Sequence, residues 1–269
     1  MAAAAFSPDA RMIAYAATRS ESPEIWVKPA VGGGAVQVTK NGYFNQFPIW
    51  SPNGQELAFY SRRGERRGLW RSSFTGGAQA QIGSDVGRSI RPVYWAKSGK
   101  IYFQEGSELF SMDEASGQKQ QVTDFRVKGL TPRVIEMSHD ESSVAYSIKD
   151  GDLWKIRIHR LDGTNADEVA AVKDQIDYLA WHPKGRSVIF SHSVNGVFQI
   201  FETKIGQAAP VQLSNGNLDY LVEDVSSDGS KILYSSLGES SDLWRIGTEN
   251  LTESILANDV AAEYWADIS

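Results

Sequence analysis

A unit of about 44 residues repeats along the whole chain, and this period constrains the fold more than any other feature. The stretch FPIWSPNGQELAFY (47–60) recurs five more times, each time with one bulky apolar anchor before a short polar turn. Successive anchors are 44, 45, 42, 44, 44 and 43 residues apart; they are Phe6, Trp50, Trp95, Met137, Trp181, Val225 and Ile268. Six complete units therefore fill the 269 residues as a single domain, with no room for a second one.

Each unit is predicted to form four short antiparallel strands. The anchor ends the first strand, and a turn such as Ser-Pro-Asn-Gly follows, in which proline fixes φ and glycine tolerates positive φ. Apolar and aromatic residues two positions apart, such as Leu57 and Phe59, then indicate a strand with one packed face. This pattern is typical of a β-propeller blade, so we expect an all-β propeller of six blades. The repeats span about 5–48, 49–93, 94–135, 136–179, 180–223 and 224–269.

Composition excludes several classes of protein. The net charge of −6 argues against a nucleic-acid-binding surface, and no apolar run is long enough to insert in a membrane. There is no cysteine, so disulfides and thiol catalysis are excluded. Absence of cysteine also favours a periplasmic or other extracytoplasmic location over the cytoplasm. We expect a monomer.

The repeated unit resembles the WD40-like PD40 repeat that builds TolB-type propellers. Residues 50–59, 69–70 and 76–77 carry the resemblance best, whereas repeat 3 lacks the proline of the turn and repeat 4 lacks both the tryptophan and the proline. The resemblance implies a bacterial protein-binding propeller. Related contexts include TolB, which binds a lipoprotein partner, gating domains of prolyl-oligopeptidase-like proteases, and sensor domains of bacterial regulators.

The two ends of the chain raise a question of ring closure. Repeat 1 begins at its turn and lacks an evident inner strand, so we expect residues 263–269 (EYWADIS) to fill that place. The alternative is a parent ring of seven or eight blades. In either case the sequence is interpreted as an excised part of a longer protein.

Motifs for catalysis are absent from the sequence. No Gly-x-Ser-x-Gly elbow is present, and Gly32-Gly33-Gly34 lacks the Lys-Ser/Thr of a phosphate loop. The four histidines, His139, His159, His182 and His192, form no zinc-binding pattern. We therefore predict no catalytic residue, no metal site and no cofactor.

Loops that lead into the inner strands are the candidate binding surface, at the mouth of the central channel. Their aromatic, charged and amide side chains suit a protein or peptide partner, because Tyr and Arg are frequent hot-spot residues. The candidates are Tyr43, Phe44, Gln46, Arg88, Arg91, Arg133, Asp177, Tyr178, Tyr220, Glu223 and Tyr264.

A non-catalytic binding module, either a sensor or a docking domain, is the preferred function. Two alternatives stay open: a gating or accessory domain of a hydrolase, and a glycan-active hydrolase or lyase that uses Asp177, Glu223 and Glu263. The arginine cluster at 62–67 is interpreted as a solvated hairpin tip. Any specificity of its repeat should nevertheless lie there and in the 43–46 loop, since neither is repeated.

Overall fold

Alternating apolar residues form twenty-four strands in the computed structural model of the chain, which describes residues 4–19, 21–84, 90–125, 129–164, 167–185, 187–207, 209–237, 241–248 and 252–260. The strands assemble into six separate four-stranded antiparallel sheets, each continuous in sequence. None of these described residues is helical, so none belongs to a helix that could cross a membrane. The predicted six-bladed, all-β propeller is confirmed.

The strand bounds define the blades. Blades 1 and 2 contain β1 (Ala4–Phe6), β2 (Met12–Ala17), β3 (Glu24–Pro29), β4 (Val36–Gln37), β5 (Phe44–Trp50), β6 (Glu56–Arg63), β7 (Arg66–Ser73) and β8 (Gln79–Ile82). Blades 3 and 4 contain β9 (Ile90–Trp95), β10 (Lys100–Glu105), β11 (Glu108–Asp113), β12 (Lys119–Asp124), β13 (Val134–Met137), β14 (Ser143–Asp150), β15 (Leu153–Arg160) and β16 (Asp167–Val172). Blades 5 and 6 contain β17 (Ile176–Trp181), β18 (Ser187–Val194), β19 (Val197–Lys204), β20 (Val211–Gln212), β21 (Asp219–Val225), β22 (Lys231–Leu237), β23 (Ser241–Gly247) and β24 (Glu253–Val260).

Six hydrophobic clusters hold the ring together, and each fills the wedge between two neighbouring blades. Between blades 1 and 2, for example, Ile25 packs with Trp50, Phe59 and Trp70, all less than 9% exposed. Two anchor tryptophans also bind across the wedge: the indole N–H of Trp50 donates to the Ala5 carbonyl at 3.0 Å, and that of Trp181 donates to the Glu136 carbonyl at 3.1 Å. The repeated aromatic residues therefore serve packing, because one sheet cannot bury both of its faces alone.

Blade 6 packs directly against blade 1 and closes the ring. Phe6 and Tyr15 share a buried cluster with Leu233 and Leu256, and the Arg245 guanidinium donates to the Ala30 carbonyl at 3.2 Å. The inner strand of blade 1 is Ala4–Phe6, which pairs with β2. Repeat 1 therefore does have an inner strand, although a short one of three residues; the expectation about residues 263–269 falls on residues outside the described part.

The turn after the anchor is built from Ser-x-Asp/Asn residues in blades 1, 2, 4 and 6. The Ser7 hydroxyl donates to Asp9 Oδ1 at 2.6 Å and accepts from the Met12 backbone N–H at 2.9 Å. Ser51 with Asn53, Ser138 with Asp140 and Ser226 with Asp228 make the same contacts at 2.6–2.8 Å. These bonds satisfy the backbone of a tight turn locally, which explains why the motif recurs.

Candidate functional site

The repeats together create a central channel with a volume of about 560 Å³. The inner strands β1, β5, β9, β13, β17 and β21 all line it, together with the turns that follow them. Because the six strands run in the same direction around the axis, equivalent positions of the repeat meet at the same depth. The residues at each depth of the channel can therefore be found by taking the same position from all six repeats.

Part of the channel lining, called the apolar wall, is formed by apolar side chains. It is formed by the two residues that precede the anchor in blades 1, 2 and 5, namely Ala4, Ala5, Pro48, Ile49, Leu179 and Ala180. Small or branched side chains at these positions leave open space in front of the anchors. This wall offers shape and apolar area but no hydrogen-bonding side chain.

The charged part of the lining, called the polar wall, comes mainly from blades 3, 4 and 6, which are not all neighbours around the ring. Arg91 of β9 and Glu136 of β13 form an ion pair across two blades, with Nη1 2.7 Å from Oε1. Arg91 also donates to the Ile135 carbonyl at 2.5 Å. Burial raises the pKa of Glu136, and the charge of Arg91 opposes that rise. The pair therefore joins neighbouring inner strands while it lines the channel.

Two consecutive carboxyl groups of β21, Glu223 and Asp224, also line the channel. The register of β21 shifts between Val222 and Asp224, so strict alternation does not hold here. Glu223 accepts from the Ser235 hydroxyl at 2.8 Å. Asp224 accepts from the backbone N–H groups of Phe6 at 2.8 Å and Val225 at 2.7 Å, and so ties blade 6 to blade 1.

Both carboxyl groups of β21 hold their protons more tightly than usual. Burial raises the pKa of Glu223 to about 8. Burial, with a smaller contribution from the charge of Glu136, raises the pKa of Asp224 to about 7. The hydrogen bonds that each group accepts work in the opposite direction, because they stabilise the ionised form. The polar wall is thus partly protonated near neutral pH.

The residue two positions after each anchor forms a ring at the turn side of the channel. Its six members are Pro8, Pro52, Lys97, His139, Pro183 and Ser227. Prolines come from the repeats that match the motif, and polar residues come from repeats 3, 4 and 6. The repeats that depart from the motif therefore place polar side chains at this mouth. The sequence analysis did not predict this role.

His139 and Tyr94 contact each other at this mouth. Their rings meet edge to face with centroids 5.4 Å apart, and the Tyr94 hydroxyl donates to the His139 carbonyl at 3.1 Å. Burial lowers the pKa of His139 despite the nearby charge of Asp140. The sequence analysis considered His139 only as a metal ligand; counting residues from the anchor would have placed it at the channel mouth.

Four of the predicted binding residues line the channel: Arg91, Asp177, Tyr178 and Glu223. Asp177 forms an ion pair with Arg133, which lies outside the lining and has a side chain 47% exposed. Gln175 also donates to the Asp177 carboxylate at 2.7 Å. Burial raises the pKa of Tyr178, so its hydroxyl stays neutral.

Other predicted binding residues lie away from the channel. Phe44 packs edge to face on Tyr60 at 6.3 Å, Tyr220 packs on Tyr234 at 5.3 Å, and Gln46 is buried. None of these, nor Tyr43, lines the channel. In β5 the register shifts between Gln46 and Ile49, and only the residues after Gln46 line the channel. Arg88, Glu263 and Tyr264 lie outside the described residues.

Carboxylates in the described part of the chain do not gather around a common point. No group of three or more His, Asp or Glu side chains there is arranged to hold a metal ion. Each channel carboxyl group is instead satisfied by a neighbouring strand, as described above.

Comparison with known proteins supports the fold. No protein-family model matches the sequence, and the search of curated proteins gave no match. Among solved structures, TolB from Acinetobacter baumannii is similar with a TM-score of 0.77 at 17% identity, covering 94% of this chain and 66% of that chain. A chain of a nidogen/laminin complex is similar with a TM-score of 0.70 at 13% identity, covering 91% and 92%.

An enzyme shares the fold as well. An oligogalacturonate lyase in complex with manganese is similar with a TM-score of 0.58 at 14% identity, covering 94% of this chain and 75% of that chain. The architecture is therefore that of a TolB-type six-bladed propeller, and both binding proteins and enzymes adopt it. The chain spans less than two thirds of the TolB chain.

Proposed function

We propose that this chain is a non-catalytic binding module whose central channel receives a segment of a protein or peptide partner. The observation that carries the proposal is that the channel is open and roomy while its charged groups already have structural partners. Arg91 holds Glu136, Arg133 holds Asp177, and the Phe6 backbone holds Asp224. Groups occupied in this way favour recognition over acid–base chemistry.

The size and lining of the channel fit such an occupant. A volume of about 560 Å³ lies within the range of small-ligand pockets, roughly 300–1,000 Å³, and suits a few side chains of a peptide. The apolar wall provides contact area, and the polar wall provides a small number of fixed hydrogen-bonding groups. Tyr178 and Tyr94 add aromatic surface of the kind that dominates binding hot spots.

A glycan-active hydrolase or lyase is the second candidate, and one observation favours it. Glu223 has a raised pKa of about 8, as a general acid requires near neutral pH. The other two carboxylates named for this chemistry weaken the case. Asp177 is held by Arg133 and Gln175, and Glu263 lies outside the described residues. An accessory domain of a hydrolase would use the channel for binding only, as in the first proposal.

We propose the cellular location and the class of partner from the amino-acid composition. The absence of cysteine favours an extracytoplasmic bacterial protein, and the net charge of −6 disfavours nucleic acid as a partner. We expect the module to act as a monomer without inserting in a membrane.

A photo-crosslinking experiment tests the proposal. A benzophenone amino acid replaces Tyr178 in the channel, and a matched variant carries it at Val31, which is 87% exposed and does not line the channel. In an extract of the source organism, we expect a discrete crosslinked partner at position 178 and none at position 31. An equal pattern from both positions contradicts the proposal.

A parallel assay distinguishes the enzymatic alternative. The unmodified chain is incubated with acidic and neutral oligosaccharides, and new reducing or unsaturated ends are measured. Turnover that disappears in Glu223→Gln, in a variant that remains folded, would replace binding by glycan chemistry as the function.

A further inference from the structure

The hairpin between β6 and β7 brings four arginines together in an unfavourable arrangement. In the strand register Arg62 lies opposite Arg67, and Arg63 lies opposite Arg66. Like charges directly opposite each other destabilise a sheet. Two such pairs in succession contradict the local rules of strand pairing, and such conflicts concentrate at functional sites. We call these residues, 62–67, the arginine hairpin.

No carboxylate neutralises this charge in the described part of the chain. The side-chain acceptors are neutral: Arg63 donates to Ser61 Oγ at 3.0 Å and to Gln79 Oε1, and Arg66 donates to Gln81 Oε1. No described Asp or Glu oxygen lies within 4.0 Å of a nitrogen of these four side chains. The hairpin is therefore a local cationic site on an acidic protein.

Two acidic residues, Glu65 and Glu24, are adjacent to the hairpin or act on its charge without forming an ion pair with it in the described part of the chain. Glu65 lies at the tip of the turn and forms no ion pair with another described residue. Glu24 is 3% exposed, and its carboxylate accepts from the Gly42 backbone N–H and from Asn45 Nδ2, both at 2.8 Å. The acceptor capacity of Glu24 is thus used inside blades 1 and 2.

Equivalent hairpins of other blades show that the fold neutralises such charges elsewhere. In blade 3, Glu105 lies opposite Glu108, but Lys119 forms an ion pair with Glu105. In blade 4, Asp150 binds both Lys155 at 3.1 Å and Arg157 at 2.9 Å. The arginine hairpin differs from both in having no counter-charge within the described residues.

Aromatic residues hold the guanidinium groups in fixed positions. Arg63 lies over the Trp70 ring at 3.3 Å from its centroid and near Tyr43 at 5.2 Å, and Arg62 lies over Phe44 at 5.1 Å. Stacking restricts the long side chains, so less conformational entropy is lost on binding. Tyr43 is itself 41% exposed beside the hairpin. The unrepeated 43–46 loop and the unrepeated hairpin thus form one surface.

We propose that the arginine hairpin with Tyr43 docks an acidic segment of a partner protein, whose Asp or Glu carboxylates supply the missing counter-charges. Arginine guanidinium groups match carboxylates in geometry, and Tyr43 provides the adjoining contact area. A protein segment fits better than nucleic acid or an anionic membrane. Those extended polyanions would also meet the surrounding surface, and the chain as a whole carries a net charge of −6.

The proposal is tested with a fluorescein-labelled octaglutamate peptide and the whole chain, by fluorescence anisotropy at 50 mM NaCl. We expect binding that weakens as salt increases, because exposed charges are screened. The variant Arg62→Glu/Arg66→Glu should bind at least about tenfold more weakly. Its melting temperature should stay equal or rise, because the substitution removes both like-charge pairs.

A matched variant controls for net charge. Arg11→Glu/Lys184→Glu makes the same change in charge at two exposed turn residues on the opposite side of the propeller and should bind within about twofold of the wild type. Tyr178→Ala in the channel should also bind as the wild type does. This outcome separates the hairpin site from the channel, so that either proposal can fail without the other.

Three results would overturn the proposal. The first is absence of peptide binding by the wild type at 50 mM NaCl. The second is an equal loss in the hairpin and control variants, which would mean a general charge effect. The third is tighter binding of a thymidine dodecamer or of phosphatidylglycerol vesicles than of the peptide, which would assign the surface to a different class of partner.

Discussion

The two walls of the central channel differ in the same way as the repeats that form them. Blades 1, 2 and 5 match the repeated motif and contribute the apolar wall, with Pro8, Pro52 and Pro183 at the turn side. Blades 3, 4 and 6 depart from it and contribute the charged wall, with Lys97, His139 and Ser227 at the same level. At the turn, agreement with the repeat thus identifies the scaffold and departure from it identifies candidate chemistry, whereas the inner strand of blade 5 contributes Asp177 and Tyr178 although its turn keeps the proline.

The structure of the turn explains why departure is tolerated at this position. The serine before it and the Asp or Asn after it bond to each other, as in Ser138 with Asp140 at 2.6 Å and Ser226 with Asp228 at 2.7 Å. The intervening side chain takes no part in these bonds and faces the channel. His139 and Ser227 therefore replace proline without loss of the turn.

The largest effect is expected from a scaffold residue. Phe59 is fully buried between blades 1 and 2, so Phe59→Ala should lower the free energy of unfolding by ~3–5 kcal/mol. The midpoint of urea unfolding measures this change. Lys97→Ala, at the exposed end of the polar wall, is the control and should leave the midpoint nearly unchanged. Similar losses in both variants would contradict the division between scaffold and channel wall.

The ion pair of the polar wall should give the next largest effect. Arg91→Met removes the partner of Glu136, whose side chain is 14% exposed, and leaves its carboxylate poorly compensated. Breaking a buried pair costs ~3–5 kcal/mol, and partial exposure places this case toward the lower end. Urea unfolding at pH 7 provides the measurement.

A double variant separates the cost of the unpaired charge from the value of the pair. Arg91→Met/Glu136→Met removes both charges and should recover most of the lost stability, since apolar replacements of a buried pair are often neutral. If the double variant is as unstable as the single one, Arg91 stabilises the ring mainly through its bond to the Ile135 carbonyl.

Periodicity predicted the scaffold well because a repeated residue needs the same environment in every blade. Trp50 is a repeated anchor and Phe59 a repeated strand aromatic, and both pack in the wedge between blades 1 and 2. The site was harder to predict because lining the channel depends on the direction of each inner-strand side chain. The bulges in β5 and β21 change that direction locally; Tyr43 and Phe44 lie outside the channel, whereas Asp224 lines it.

The pH dependence of stability should distinguish aspartates of the turns from those of the channel. Hydrogen bonds from Ser226 and Ser230 lower the pKa of Asp228, and bonds from Ser7 and Arg11 lower that of Asp9. Their stabilising contribution is present above the ordinary pKa of 3.8 and is lost as the pH falls below it. These residues thus favour the folded state at neutral pH.

Glu223 and Asp224 have the opposite effect. Their folded-state pKa values, about 8 and about 7, lie above the ordinary values of 4.5 and 3.8, so the folded protein binds these protons more tightly. Ionisation then disfavours folding, and the free energy of unfolding should decrease from about pH 5 to about pH 8. Glu223→Gln/Asp224→Asn should flatten this decrease in urea unfolding, whereas Asp228→Asn, at a turn aspartate with a lowered pKa, should not. An unchanged slope in the double variant would show that other groups control it.

The smallest expected effects come from the fourth residue after each anchor, which has a positive φ in all six repeats. Gly54, Gly99, Gly185 and Gly229 have positive φ there, and Ala10 and Glu141 adopt it with φ of 55° and 59°. A left-handed conformation costs a residue with a side chain roughly 1–2 kcal/mol, partly offset by the greater freedom of glycine when unfolded. Ala10→Gly should therefore raise the free energy of unfolding by up to ~1 kcal/mol.

Glu141→Gly relieves the same strain but should not stabilise the protein. Glu141 Oε2 accepts from the Ser98 and Tyr102 hydroxyls of blade 3, both at 2.9 Å, and these bonds join blades 3 and 4. Each such bond contributes about 0.5–1.5 kcal/mol, enough to cancel or exceed the relief of strain. Thermal unfolding of the two variants side by side measures the difference. Equal stabilisation by both would mean that Glu141 is a tolerated departure from the repeat rather than a contact between blades.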